Sequence, residues 1–207
     1  DMHLMRKCPC PVWIVKSTEH QRYRRILAAV HQDPEDPEDT VHDVLNRQIL
    51  EMSTSLALAE FSELHVVHAW HLLGESYFRS PRAGGSDDEV DALVAKVASE
   101  RGRWLANLVN TYGAKADKDA VDYLNPQLHL SKGDAKRIVS AKARELDVDL
   151  IVMGTVARSG IAGFFMGNTA ESILTQLDCS VLTIKPPGFI SPVTLDVDLH
   201  PKLIHLR

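Results

Sequence analysis

Hydrophobic positions along this chain alternate between two patterns. Arg25 to Val30 is a short run, apolar from Ile26 onward. Such a run suits a strand buried on both faces of a parallel sheet. It ends at His31, Gln32, Asp33 and Pro34, a turn-forming stretch. From about Asp39 to Glu60 the period lengthens. Val41, Val44, Leu45, Ile49, Met52, Leu56 and Ala59 lie along one stripe of a helix. Leu64 to Trp70 reads as a second strand. Pro81, Gly84 and Gly85 then mark a polar, mobile loop. Ser86 and Glu89 stand at the spacing of a capping box, which predicts a helix from there to about Tyr112, stopped by Gly113. Gln127 to Ser131 is a short third strand, and Ala135 to Leu146 an amphipathic helix. Asp149 to Gly154 is the strongest buried strand. A glycine-containing loop runs from Gly154 to Gly167, and Asn168 or Thr169 caps a helix reaching about Leu177. Val181 to Ile184 is the last strand.

Strands and helices thus alternate, which predicts right-handed crossovers and a parallel sheet covered on both faces. Residues 23–187 fit one α/β domain of ordinary size. Two pieces remain, residues 1–22 and a C-terminal extension, 188–207. The first contains Cys10, Pro11, Val12, Trp13, Ile14, Val15 and Lys16. This segment parallels Cys179, Ser180, Val181, Leu182, Thr183, Ile184 and Lys185, with Cys, Val and Lys coinciding. Short apolar strands can look alike by chance. The alternative is that residues 7–17 are the final strand of a preceding, similar domain. A lone strand needs a host, and the edge of Val181–Ile184 is the natural one.

Composition narrows the function classes. Hydrophobic residues at 44% and charged residues at 25% allow a substantial core and exclude disorder of the whole chain. A net charge of -5 argues against a partner with a nucleic-acid backbone. Three cysteines cannot form a disulfide framework for 207 residues. No apolar run approaches the roughly 20 residues of a membrane span, and the first residues lack an apolar signal core. A cytoplasmic protein is the expectation.

The arrangement resembles the universal stress protein family. The resemblance rests on the basic pair Arg24 and Arg25 with the strand through Val30, on Leu64 to Ala69, and on Leu150 to Thr155. Most specific is the stretch that follows, with Gly160, Gly163 and Gly167 to Glu171; Cys179 to Pro186 completes it. It covers about residues 24–187 and is most like the second domain of the tandem, E-type members. It implies an open five-stranded parallel sheet of order 3-2-1-4-5 with helices on both faces, Rossmann-like and similar to the adenine nucleotide alpha hydrolases. It also implies ATP or another adenine nucleotide at the carboxyl ends of strands 1 and 4, with magnesium only alongside ATP and no other cofactor. Sheets of this kind place ligands where strand order reverses, and a helix N-terminus favours phosphate.

Nucleotide-binding members carry G-x2-G-x9-G-[S/T] after strand 4. Here Gly154, Ala157, Gly167 and Asn168 take those places, with Thr169 next. His31 stands where such members have an aspartate that contacts the nucleoside. Carried over by position, the site residues are Ala29, Val30, His31, Ala69, Met153, Gly154, Ala157, Gly167, Asn168 and Thr169. Val30 and Ala69 would flank adenine or ribose, and Gly167 to Thr169 would donate to phosphate. The other reading of the loop is a tight connection and a helix cap only. Arg158 could reach a phosphate and Asp33 a magnesium ion; as plain surface residues they would do neither.

His65, His68 and His71 recur every third residue, but on a strand His65 and His68 face opposite ways. His31, His68 and His71 could converge at the carboxyl edge of the sheet as a zinc site; otherwise they are packing and loop residues. Cys8 and Cys10 are expected to be packing thiols of the leftover strand. The function expected is a nucleotide-sensing, regulatory module in stress response rather than an efficient enzyme. One alternative is a dimerisation or scaffold module, paired as a homodimer or within a tandem through the last strand. Another is a weak nucleotide or zinc-assisted hydrolase.

Overall fold

The computed structural model describes residues 2–16, 22–33, 35–36, 40–113, 123–155, 173, 175–191 and 193. Its elements are α1 (Met2–Lys7), β1 (Val12–Ile14), β2 (Arg25–Val30), α2 (Thr40–Glu60), β3 (Glu63–Trp70), α3 (Glu75–Phe78), α4 (Asp87–Gly113), β4 (Gln127–Lys132), α5 (Ala135–Glu145), β5 (Leu150–Gly154) and β6 (Ser180–Ile184). The sheet runs β1-β6-β5-β2-β3-β4. Strands β2 to β6 pair in parallel, in the order expected for the α/β domain. The sixth strand, β1, is added at the β6 edge and is antiparallel.

Alternate residues of each strand feed two cores. Ile26, Ala28, Val66, Val152 and Leu182 pack under α2 and α4 through Leu45, Ile49 and Leu105. Leu27, Val67, Ile151 and Val181 pack on the other face with Val139 and Ala143 of α5, Ile173, Leu177 and Met5 of α1. The amino ends of β2 and β5 are tied by one carboxylate. Asp149 Oδ2 accepts from the backbone amides of Arg24 and Arg25, each at 2.8 Å. Hydrogen bonds to a charged acceptor contribute about 1.5–3 kcal/mol. Asp149→Ala is therefore expected to lower stability by about 2 kcal/mol, read from the urea midpoint. An unchanged midpoint would show that water replaces this acceptor without loss.

Two expectations change in detail. The polar stretch after β3 is not all loop, although Pro81 to Gly85 are. It begins with α3, and Arg79 pairs with Glu75 at 3.1 Å and Asp91 at 2.7 Å, while Lys132 reaches Glu75 at 2.6 Å. Its end carries the predicted capping box: Ser86 N–H donates to Glu89 Oε2 at 2.8 Å, and Glu89 N–H to Ser86 Oγ at 3.2 Å.

The segment expected as a strand over 7–17 is strand only at Val12–Ile14. Before it, α1 takes the chain through a helical turn that the Cys8 amide closes on Leu4 O at 2.8 Å. Arg6 and Lys7 lie in its last turn, where the helix dipole favours cations. The pairing of β1 with β6 has a local two-fold character. Val12 faces Thr183, Trp13 faces Leu182 and Ile14 faces Val181. Extended by two residues, this alignment sets Cys10 across from Lys185 and Lys16 across from Cys179. Each lysine also reaches a carbonyl of the other segment: Lys185 Nζ donates to Met5 O, and Lys16 Nζ to Leu177 O. Each carbonyl lies at the end of a helical turn that precedes a cysteine and a strand, with Cys8 N–H donating to Leu4 O and Leu177 N–H to Ile173 O.

Candidate functional site

The strand order reverses between β2 and β5, so their carboxyl ends border the crevice where open sheets bind ligands. Register brings Ala29 of β2 beside Met153 of β5 and beside Val67 of β3. Ala29, Ala69 and Gly154 are half-buried. Val30 and Met153 are buried, each 5% exposed. The Val30 side chain belongs to the core beneath α2, and that of Met153 to the opposite core. Gly154 is fixed by packing. A Cβ there would sit 2.5 Å from Leu45 Cδ2 of α2. Ala157, Gly167, Asn168 and Thr169, with Arg158, Gly160 and Gly163, lie outside the described residues.

His31 directly follows β2 and is clamped by α2. Its amide donates to Asn46 Oδ1 at 3.0 Å, and Asn46 Nδ2 donates back to the His31 carbonyl at 2.6 Å. A fully buried Asn46 thus satisfies both backbone groups where the strand stops. The adjacent Gln32 accepts from Arg101 of α4.

The His31 ring stands 5.0 Å from that of His42 and 6.4 Å from that of His68. His68 in turn lies 4.8 Å from Trp104 of α4. His68 Nδ1 faces the Val30 carbonyl at 3.2 Å, so that nitrogen carries the proton and donates. Its Nε2 is buried and meets no hydrogen-bond partner among the described residues. Burial holds the His68 imidazole down at about 4, against the pull of the Val30 carbonyl. Burial, aided by His42 and Arg101, likewise lowers His31 to about 4, with Asp33 opposing. At neutral pH both rings are therefore uncharged. Neither is a cation for phosphate, nor a proton donor matched to pH 7.

The structure brings His31 and His68 together, as the sequence anticipated, and adds His42 of α2 beside His31. His71 acts on His31 only electrostatically. Among the described residues, no group of His, Cys, Asp or Glu has a metal-holding arrangement. His65 does point to the other face. There its Nδ1 lies 3.1 Å from His129 Nε2 of β4, and burial lowers both rings. His42, Asn46, Arg101 and Trp104 were missed by the sequence reading. One signal existed: His42 and Asn46 interrupt the apolar stripe of α2 at positions four apart, beside Leu45 and Ile49, so they had to be buried.

A sequence profile described as the universal stress protein family matches residues 22–185. The chain belongs to that family. It is 32% identical over 198 residues to universal stress protein E of Escherichia coli strain K12, covering 95% of this chain and 57% of that protein. It is 31% identical over 186 residues to the universal stress protein E homolog of Haemophilus influenzae, covering 90% of this chain and 55% of that one. The chain thus spans a little over half the length of these relatives. Among solved structures it is similar to a functionally unknown protein, PA1789, of Pseudomonas aeruginosa PAO1, with a TM-score of 0.62, 28% identity, and coverage of 88% of this chain and 54% of that one. It shares the fold of the universal stress protein UspA from Lactobacillus plantarum, with a TM-score of 0.52, 18% identity, and coverage of 80% of this chain and 99% of the other. No helix among the described residues is long and apolar enough to cross a membrane.

Proposed function

We propose that this universal stress protein domain is a regulatory module of the stress response that senses an adenine nucleotide, ATP in the first instance, with magnesium accompanying it. The observation that carries this reading is placement. Ala29, His31, Ala69 and Gly154 gather at the carboxyl ends of β2, β3 and β5, where the strand order reverses. In this reading the loop after Gly154 wraps the phosphates, with the Gly167, Asn168 and Thr169 amides and side chains as donors. His31 replaces a carboxylate with a neutral ring, which removes a charge that would repel phosphate and leaves a single ring nitrogen as acceptor for the sugar hydroxyls. Specificity for ribose is expected to be correspondingly weak.

Calorimetric titration with ATP, with and without magnesium, tests this. Saturable heat is expected, and Asn168→Ala should weaken binding roughly tenfold, the loss of about one charge-assisted hydrogen bond. No heat, together with no displacement of a fluorescent ATP analogue, would sink the nucleotide reading.

A second reading, a pairing module built on the β6 edge, is favoured by the two-fold arrangement of β1 on β6. Residues 1–22 are then the end of a preceding domain of the same kind, 23–187 the working domain and 188–207 an extension. The two readings are compatible, since the β6 edge and the β2–β5 crevice are separate parts of the sheet.

A further inference from the structure

Cys8 and Cys10 are not packing residues. Cys8 is half-buried, Cys10 is exposed, and the chain bends at Pro9 and Cys10 between α1 and β1. The third thiol differs. Cys179 is held protonated by burial, its thiol pushed up to about 11. Around the bend lies one buried cation. Lys185 is 7% exposed, donates to Met5 O and sits 4.7 Å over the Phe189 ring. Cys8 is near enough to interact electrostatically with that ammonium, and Cys10 lies just before β1, whose partner strand β6 ends just before Lys185. Pro9 and Pro11 line an open groove of about 460 Å³ together with Lys185, Pro186 and Phe189. Small solutes therefore reach the bend.

We propose that Cys8 and Cys10 form a redox-active dithiol that closes to an intrachain disulfide with hydrogen peroxide. This proposal is independent of nucleotide binding. The thiolate is the reacting form of cysteine, and the exposure of Cys10 and partial exposure of Cys8 at the bend let peroxide reach both sulfurs. In the first step the Cys8 thiolate attacks a peroxide oxygen. A sulfur–oxygen bond forms, the oxygen–oxygen bond breaks, and hydroxide leaves; Cys8 is oxidised to the sulfenic acid and peroxide is reduced. In the second step the Cys10 sulfur attacks the Cys8 sulfur. The disulfide forms, the sulfur–oxygen bond breaks, and the leaving hydroxide takes the Cys10 proton as water. Two thiols and one peroxide thus give one disulfide and two waters.

Geometry permits the closure. Residues two apart span at most about 7 Å when extended, and a bend brings them within the usual disulfide range of roughly 4.4–6.8 Å. The loop closed is so short that it adds little chain-entropy stabilisation. Its bond is of the exposed, strained kind that thiols readily reduce. The linkage is therefore a switch, not a staple. Closing it must move the turn that ends α1, and with it the Met5 carbonyl that Lys185 holds. Oxidation is expected to loosen α1 from the sheet.

The test is peroxide treatment of the native, full chain, followed by mass spectrometry. Expected are an intact mass lower by about the two hydrogens lost on closing one disulfide, a peptide carrying a Cys8–Cys10 cross-link, reversal by dithiothreitol, and an unreacted Cys179. In Cys10→Ser the resolving thiol is gone, so Cys8 should accumulate as a dimedone-reactive sulfenic acid. Hydrogen exchange over Met2–Lys7 should rise on oxidation of the parent and not of Cys10→Ser. Disulfide-linked dimers through Cys10 with Cys8 still reduced would overturn the proposal. So would over-oxidation of either thiol without a cross-link.

Discussion

Acidification from pH 7 to about 4.5 will unfold this protein far more readily than its surface carboxylates alone would require. The cause is the pair of rings at the end of β2 and β3. His31 and His68 are held at about 4 in the folded protein, chiefly by burial. In the unfolded chain an imidazole titrates near 6.5. The unfolded state therefore binds the extra protons first. The stability each neutral ring contributes is complete above about pH 6.5 and is lost as pH falls toward 4. A shift of this size corresponds to about 3 kcal/mol per ring, and the two rings face each other, so their sum is smaller than twice that. Total stabilities of domains are about 5–15 kcal/mol, so the loss is large. Urea midpoints measured from pH 7.5 to 4.5 should fall steeply in this window. His68→Gln keeps a donor for the Val30 carbonyl and removes the titration; its midpoint should depend on pH with a shallower slope. A slope unchanged in His68→Gln would assign the acid sensitivity elsewhere, with buried His65 and half-buried His129 the next groups to examine.

Gly154→Ala is expected to cost about 1–3 kcal/mol, the range for overpacking a filled core. The new methyl would stand 2.5 Å from Leu45 Cδ2 and 3.1 Å from Leu45 Cγ. Leu45 is 3% exposed and belongs to the same core as Val30, Ile49 and Ile184, so its retreat must displace packed neighbours. Leu45→Ala alone should cost about 2–5 kcal/mol by leaving a cavity. The double variant should be more stable than the two losses predict, because the methyl enters space that Leu45 has left. Equilibrium unfolding of the four proteins measures that coupling. Additive losses would mean that the strand end shifts instead of Leu45. The glycine that opens the phosphate-loop pattern is thus required by α2 packing whether or not a ligand binds.

Much of this architecture was legible because its strands are buried on both faces. β2, β5 and β6 are near-continuous apolar runs, and Ser86 with Glu89 announced α4. β1 was legible as a partner for β6 but not in extent. The residues before it, Met2 to Lys7, suit a helix as well as a strand, and only the tertiary seat of Met5 decides between them. The floor of the site was half legible. His31 and His68 lie on strands whose ends could be placed. Asn46, Trp104 and Arg101 come from helices 15 to 73 residues beyond His31 along the chain, and nothing local marks them as neighbours. The thiols were misread for a related reason: the repeat with Cys179 suggested a shared strand environment, whereas α1 and the bend expose Cys10.

The β1 strand has a further role in how the molecule meets others of its kind. β6 is buried at all five positions, a composition suited to the middle of a sheet. Without β1 it would present a row of unpaired amides and carbonyls flanked by apolar side chains, the template on which sheets grow between molecules. A three-residue strand, with Trp13 42% exposed and Val15 60% exposed, closes that template on one side and offers a shorter one in its place. The first sixteen residues thus guard solubility, and any event that lifts α1 and β1 together would turn a self-contained sheet into an adhesive one.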